Sequence, residues 1–340
     1  MLVILNTRHA GQVTPVEIDN GVPVESHEVA ARFDAIRSAL AADGSFRFED
    51  ASPGDESILA SIHDPAYVLY LRETTLEVSK ARGAAPRSIY PSVFPFGPSP
   101  QVRGGKAMRG AYCFDTFTPI TPGTYPAALC GASAACRAAE RVASGTERTV
   151  YVLTRPPGHH AERGRCGGYS YFNNAAVAAE VLAKVGKVAV LDLDVHHGNG
   201  TQHIFYDRAD VLTVSVHGNP EVLFPYFSGY ADETGTGAGL GFNRNLPLPL
   251  ATTEKKYHAA LATAIEEIGT FRPAHLVVSF GADAHEEDPI GGLKLPTEYF
   301  AKMGAAVRQL GVPTVVVQEG GYNRDVIGEC ARLFLTELRK

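Results

Sequence analysis

The chain has 340 residues, 45% of them hydrophobic and 20% charged, with a formal net charge of −6. That length carries one large core or two ordinary domains. No basic stripe offers a footprint for nucleic acid, and no apolar run approaches the roughly eighteen residues that suggest a membrane span. Cys113, Cys130, Cys136, Cys166 and Cys330 show no CxxC spacing. They are expected to be small buried thiols in a reducing cytoplasm rather than a disulfide framework.

The opening MLVILNTRH is apolar without a basic flank and reads as a first strand rather than a signal peptide. Strand-like runs recur at VILN (3–6), TVYVLT (149–154), KVAVLDL (187–193), VLTVSV (211–216), HLVVSF (275–280) and PTVVVQ (313–318). They are continuous rather than alternating, the pattern of strands buried on both faces of a parallel sheet. Helical patterns lie between them. One spans 126–144, opening on Pro126, where a first helical turn accepts proline. Others span 174–185, 254–269 and 297–310. This alternation predicts one α/β domain with helices on both sides of the sheet. Residues 84–124 break the pattern, interleaving Pro86, Pro91, Pro95, Pro98 and Pro100 with Tyr90, Phe94, Phe96, Phe114 and Phe117. A long insertion of this kind reads as a lid or binding loop.

Polar clusters follow five of the strands: RPPGHH, DVHHG, HGN, GADAHEED and EGGY. In an α/β sheet the ligand crevice lies outside the carboxyl ends of the strands. Asp194 and His196 are two apart, so on a continuing strand they point to one side, with Asp192 a step deeper. Asp283 supplies a further carboxylate. Two carboxylate oxygens and an imidazole nitrogen suit zinc, at roughly 2.0–2.2 Å, with one position open for water. A hydrogen-bonded Asp–His network without metal is the alternative. His159 and His160 can face one cavity, where one serves as general base and then acid. Tyr322 follows two glycines that permit a sharp turn, and its hydroxyl can donate to a developing oxyanion. Together these parts describe a metal-assisted hydrolase.

RPPGHH, GGYSYFNNAAVAA, DLDVHHGNGTQHIFY and GADAHEEDP together resemble the histone deacetylase superfamily. The resemblance runs from SIHDPAYVLYL (61–71) to EGGY and is nearest to the bacterial acetylpolyamine amidohydrolases, with class II deacetylases next. It implies the arginase/deacetylase fold, a central, mostly parallel eight-stranded sheet with helices on both faces. It implies a single deacetylase domain over 1–340 with the insertion at about 84–124. It implies one zinc ion on Asp194, His196 and Asp283, with His160 as the proton shuttle of the tandem pair and Tyr322 as the carbonyl-polarising hydroxyl. Asp192 then accepts a hydrogen bond from His159. A structural potassium ion is implied on Asp192, Asp194, His196, Ser215 and Val216. Tyr169, Phe224 and Gly168 are implied as walls of a narrow substrate tunnel. Asn199 stands where some members of the family carry aspartate beside the second histidine.

The expected activity is zinc-dependent removal of acetyl groups from small, acetylpolyamine-like amines. The alternatives are deacetylation of acetyl-lysine in peptides, a metal-dependent acyl-amine sensor, and a ureohydrolase, which DAH at 283–285 also resembles. The 84–124 loop implies a homodimer, but its family acidic positions fall on Lys106 and Phe117. It also sets Arg103, Lys106 and Arg109 against Asp115, which leaves neutral or anionic acyl amines open. Glu286, Glu287 and Asp288 are either rim charges or a solvated loop. His217 is expected to line the site, and His63 to be a packed core histidine.

Overall fold

The computed structural model describes residues 1–81, 87–95 and 104–340. In chain order its elements are β1 (Leu2–Asn6), β2 (Glu17–Asp19), β3 (Val22–Val24), α1 (Ala30–Asp43), β4 (Arg47–Ala51), α2 (Pro65–Lys80) and α3 (Ala107–Ala111). Then come α4 (Thr124–Ala143), β5 (Thr149–Leu153), α5 (Asn174–Ala183), β6 (Val188–Asp192), α6 (Asn199–Phe205), β7 (Val211–Gly218) and β8 (Asn243–Leu248). The chain closes with α7 (Glu254–Phe271), β9 (His275–Phe280), α8 (Tyr299–Arg308), β10 (Thr314–Gln318) and α9 (Ile327–Leu338).

Eight strands form one sheet in the order β4-β1-β5-β10-β9-β6-β7-β8, and every pairing is parallel. Alternate strand residues feed two cores. Ile4, Val150, Val152, Val190, Val277 and Val315 face α2, α4 and α5. Val3, Leu5, Tyr151, Leu191, Val278 and Val316 face α1, α7, α8 and α9. Both faces being covered is the reason these runs are mostly apolar. The two edge strands carry no such signal. Strand β4 is RFEDA, and β8 is NRNLPL, with Pro247 at a position that only an edge strand tolerates.

The strand order creates the crevice. From β6 the chain runs outward through β7 to β8, whereas from β9 it runs the other way to β10. The loops leaving the neighbouring strands β6 and β9 therefore diverge, and a switch point of this kind is where α/β sheets bind ligands. Asp194 lies just past β6 and Asp283 just past β9.

The described part of the 84–124 insertion is tied down rather than free. Ile89 bridges Ile120 and Cys113 bridges Cys166, and the Tyr90 hydroxyl donates to Val16 O at 2.7 Å. Arg103, Pro86, Phe96, Pro98 and Pro100 lie outside the described residues. All five cysteines are free thiols, and four are buried. Among the described residues no helix is long and apolar enough to cross a membrane.

A buried ion cluster clamps the crevice end of the sheet. Glu28 Oε1 accepts from Arg32 Nη1 at 2.8 Å and Arg155 Nε at 2.8 Å, and its Oε2 accepts from Arg155 Nη2 at 2.6 Å. All three residues are at most 2% exposed. Replacing Glu28 by leucine strands two guanidinium groups away from water. The expected loss is about 3–5 kcal/mol of folding stability, read as a lower urea midpoint with an unchanged slope.

Candidate active site

Strand β6 ends at Asp192, and residues 194–196 form a bend rather than a strand continuation. Alternation along a strand therefore does not bring Asp194 and His196 together. The bend does, through two hydrogen bonds: Asp194 Oδ1 accepts from His196 N at 2.9 Å, and Asp192 Oδ1 accepts from Asp194 N at 3.1 Å. Asp283 reaches across from the β9 loop, its Oδ1 accepting from Val195 N at 2.9 Å. One ligand atom from each of Asp194, His196 and Asp283 then lies within 4.8 Å of the others. His196 Nδ1 is 3.2 Å from Asp194 Oδ1 and 3.3 Å from Asp283 Oδ2. Among the described residues no hydrogen-bond donor satisfies Asp283 Oδ2, although it is buried. Burial, and then the charge of Asp194, pushes Asp283 up to about 7. An unsatisfied carboxylate oxygen converging with a second carboxylate and an imidazole fits a divalent cation. Two glycines make room for this: a Cβ on Gly281 would sit 2.3 Å from Asp194 Oδ2, and one on Gly320 2.0 Å from Asp283 Oδ2.

The tandem histidines enter from the loop after β5. His159 Nδ1 lies 3.0 Å from Asp192 Oδ2, and His160 Nδ1 lies 2.8 Å from Asn199 Oδ1. The two rings then titrate in opposite directions. Burial disfavours charge on both, but Asp192 and Asp194 push His159 up to about 10. Burial, with His159 and His196 nearby, holds His160 well below its ordinary value. A neutral His160 with Nδ1 facing an amide oxygen keeps Nε2 free to accept a proton.

A cavity of about 340 Å³ opens above this floor, lined by His160, His196, Gly168, Tyr169, Phe224, Phe117 and Tyr322. The Phe224 ring meets the His160 ring edge-on at 5.0 Å, and Tyr169 meets Tyr322 at 5.7 Å. Gly168, at φ +53°, passes so close to His160 that a Cβ would lie 2.2 Å from its Cδ2. Burial raises the Tyr322 phenol well above its ordinary range, against the nearby Arg32, so it stays a protonated donor. Asp192 faces Ser215 across the β6–β7 register. Both line a small pocket together with His197, Gln202 and Asn245, and Val216 is buried next along β7.

Several sequence-derived placements change. Asp115 is no loop counter-charge: it is buried, and it accepts from Phe117 N and Thr118 N at 3.0 Å and from Gly168 N. Lys106 is exposed and does not line the cavity. His217 does not line it either; its ring bridges Ser215 Oγ at 2.7 Å and Gly229 O at 2.9 Å. His63, by contrast, packs in the core as the sequence led us to expect, 2.9 Å from Glu162 O. Glu286 and Glu287 are exposed, whereas Asp288 accepts from Tyr322 N at 2.7 Å and sets that loop.

Sequence reasoning missed the outer supports. Glu319 is buried and accepts from Gly158 N at 2.6 Å and His159 N at 3.1 Å. Arg32 donates to Gly321 O at 2.5 Å and Glu319 O at 2.7 Å, and its guanidinium lies 4.6 Å from the centre of the Tyr322 ring. Glu17 and Asp19, from the β2–β3 hairpin, line the cavity, and Glu17 Oε2 accepts from Tyr169 Oη at 2.9 Å. Glu319 lies within the EGGY motif, but the N-terminal residues sit in segments with no chemical pattern of their own.

The histone deacetylase domain family matches residues 26–338. The acetylpolyamine amidohydrolase of Mycoplana ramosa is 39% identical over 335 residues, covering 96% of each chain. Acetylpolyamine amidohydrolase 2 of Pseudomonas aeruginosa is 47% identical over 221 residues, 64% of each chain. The crystal structure of acetylpolyamine aminohydrolase from Burkholderia pseudomallei superposes with a TM-score of 0.94 at 35% identity, covering 99% of this chain and 98% of that one. The converging carboxylates, the tandem histidines and these similarities agree: the chain belongs to the histone deacetylase family and is an amide-bond hydrolase, a deacetylase.

Proposed function

We propose that the chain removes acetyl groups from small N-acetylated amines of the acetylpolyamine kind, using zinc. One observation carries this reading. A metal-competent floor of Asp194, His196 and Asp283 lies under an aromatic cavity whose lining includes the acidic side chains Glu17 and Asp19. A narrow aromatic passage takes a thin aliphatic amide stem, and carboxylates in its lining attract an ammonium group. The relatives named above as acetylpolyamine amidohydrolases support the same substrate class.

In this reading Asp194, His196 and Asp283 hold the ion, which when bound supplies Lewis acidity toward a carbonyl oxygen and a water molecule. His160 accepts the proton from that water at Nε2 and later returns it to the departing amine. His159, held by Asp192, keeps a positive charge beside the floor. The Tyr322 hydroxyl donates to the carbonyl oxygen as negative charge builds there. Tyr169, Phe224, Phe117 and Gly168 hold the aliphatic stem of the amine and exclude water. A potassium ion on Asp192, Asp194, His196, Ser215 and Val216, a single catalytic domain over 1–340, a homodimer formed through the 84–124 loop and a cytoplasmic setting belong to the same proposal.

The direct test is acetate release from acetylputrescine, acetylcadaverine, acetylspermidine and acetyl-lysine peptides, with metal content measured on the same sample. Turnover confined to the peptides would reject the small-amine reading. Glu17→Gln keeps an acceptor for Tyr169 but removes the charge. It should raise KM for acetylspermidine by about tenfold, the cost of about 1.4 kcal/mol of lost charge attraction, and leave KM for an uncharged N-acetyl amide unchanged. Tyr322→Phe should lower kcat by about 10²–10³ with full metal content; a smaller loss would remove the hydroxyl from the oxyanion role. Asp283→Ala should abolish stoichiometric zinc by elemental analysis, together with the thermal stabilisation that added zinc gives the unmodified chain.

A further inference from the structure

His160 and Glu162 are two apart on the loop after β5, and Asn199 and His203 are four apart on one face of α6. The two pairs interlock. Asn199 Oδ1 lies 2.8 Å from His160 Nδ1. Asn199 Nδ2 donates to Glu162 Oε1 at 3.1 Å and to His160 O at 3.3 Å. The same Glu162 oxygen lies 2.8 Å from His203 Nδ1. His160 and Asn199 are buried, whereas the His203 side chain is 45% exposed. A hydrogen-bonded chain thus runs from the buried imidazole to the surface.

An amide is ambiguous in a way that a carboxylate is not. It presents either an acceptor oxygen or a donor NH₂ to its neighbour, and the two orientations are nearly the same shape. If Asn199 turned its NH₂ to His160, Nδ1 would have to accept, and the ring proton would move to Nε2. That tautomer cannot take a proton from a water molecule in the cavity. A carboxylate accepts only, so Glu162, with the His160 backbone carbonyl as a longer second acceptor, draws the NH₂ to itself and turns the oxygen to the His160 ring. His203 holds Glu162 in place from the far side, and Arg165 is a further charge near it.

We propose that Glu162, braced by His203, is a positioning residue that orients the Asn199 amide and so locks His160 in the tautomer with its proton on Nδ1 and Nε2 free. The arrangement recovers what a direct aspartate partner would impose, with the negative charge one residue further out. The inference rests on the reading of His160 as proton acceptor, but its first readout does not depend on turnover.

The experiment uses the zinc-loaded full chain, with nitrogen-15 spectra of the histidine side chains and steady-state rates on acetylspermidine. In the unmodified chain His160 should carry its proton on Nδ1 alone. Glu162→Leu should introduce the Nε2-protonated form and lower kcat by about tenfold, with KM within about twofold and metal content unchanged. Glu162→Gln, which keeps a carbonyl for the amide, should stay within about threefold of the unmodified kcat. Asn199→Asp added to Glu162→Leu should restore the Nδ1 tautomer and most of kcat, because a carboxylate needs no orienting. Asn199→Asp alone, which sets two carboxylates face to face, should be slower than that double variant. A Glu162→Leu protein with His160 still wholly Nδ1-protonated overturns the proposal, whatever its rate. So does a double variant no faster than Glu162→Leu. An unmodified chain that releases no acetate from any acetylated amine would instead defeat the proposed function and leave the tautomer result to decide this one.

Discussion

Two carboxylates, Asp194 and Asp283, are forced together at a point with no exposure to water. Like charges about 4 Å apart repel by about 4 kcal/mol even at an effective dielectric constant near 20, so the fold must supply opposing charge and donors. Backbone amides of Val195, His196 and Gly320 supply part of it. Among the described residues they leave Asp283 Oδ2 without a donor, and the set is one that can hold a cation. The glycines at 281 and 320 follow from the same crowding, since any side chain there would occupy the space of the carboxylate oxygens. The architecture of the site is a response to this one electrostatic problem.

The problem is solved at the sheet edge where the strand order reverses, so the pieces arrive from loops far apart in sequence. Each is fixed by hydrogen bonds to an acidic side chain rather than by packing alone. Asp288 holds Tyr322 through its backbone amide, Glu319 holds the tandem-histidine loop, and Asp115 holds Gly168. Behind them, Glu28 joins Arg32 to Arg155, and Arg32 reaches back to the carbonyls of Glu319 and Gly321. Buried ion pairs of this type add little net stability compared with apolar packing. Their worth here is directional, because hydrogen bonds hold backbone loops at angles that apolar contact does not specify.

The cavity above combines two recognition chemistries. Aromatic rings from three separate segments, carrying Phe117, Tyr169 and Phe224, form its walls. The acidic groups of its lining, Glu17 and Asp19, come from the N-terminal hairpin. Glu17 belongs to both chemistries, since it also anchors the Tyr169 hydroxyl. Charge and shape are therefore not independent at this mouth.

Sequence alone determined the features that depend on local pattern. Strands buried on both faces must be continuously apolar, so β1, β5, β6, β7, β9 and β10 were legible, and the polar residues just past them marked one edge of the sheet. The edge strands were not, because RFEDA and the proline-bearing NRNLPL are shaped by one neighbour and by solvent. Asp194, His196, Asp283, His159, His160 and Tyr322 stood out because the motifs around them are dense and specific. What only the tertiary structure decided was partnership. The turning of His217 toward Gly229, the hold of Asp115 on Gly168, the reach of Glu17 to Tyr169 and the link from Asn199 through Glu162 to His203 all join residues whose sequence separation carries no signal. A hydrogen bond between distant segments depends on where the whole fold places its donor and acceptor, and no local periodicity encodes that distance.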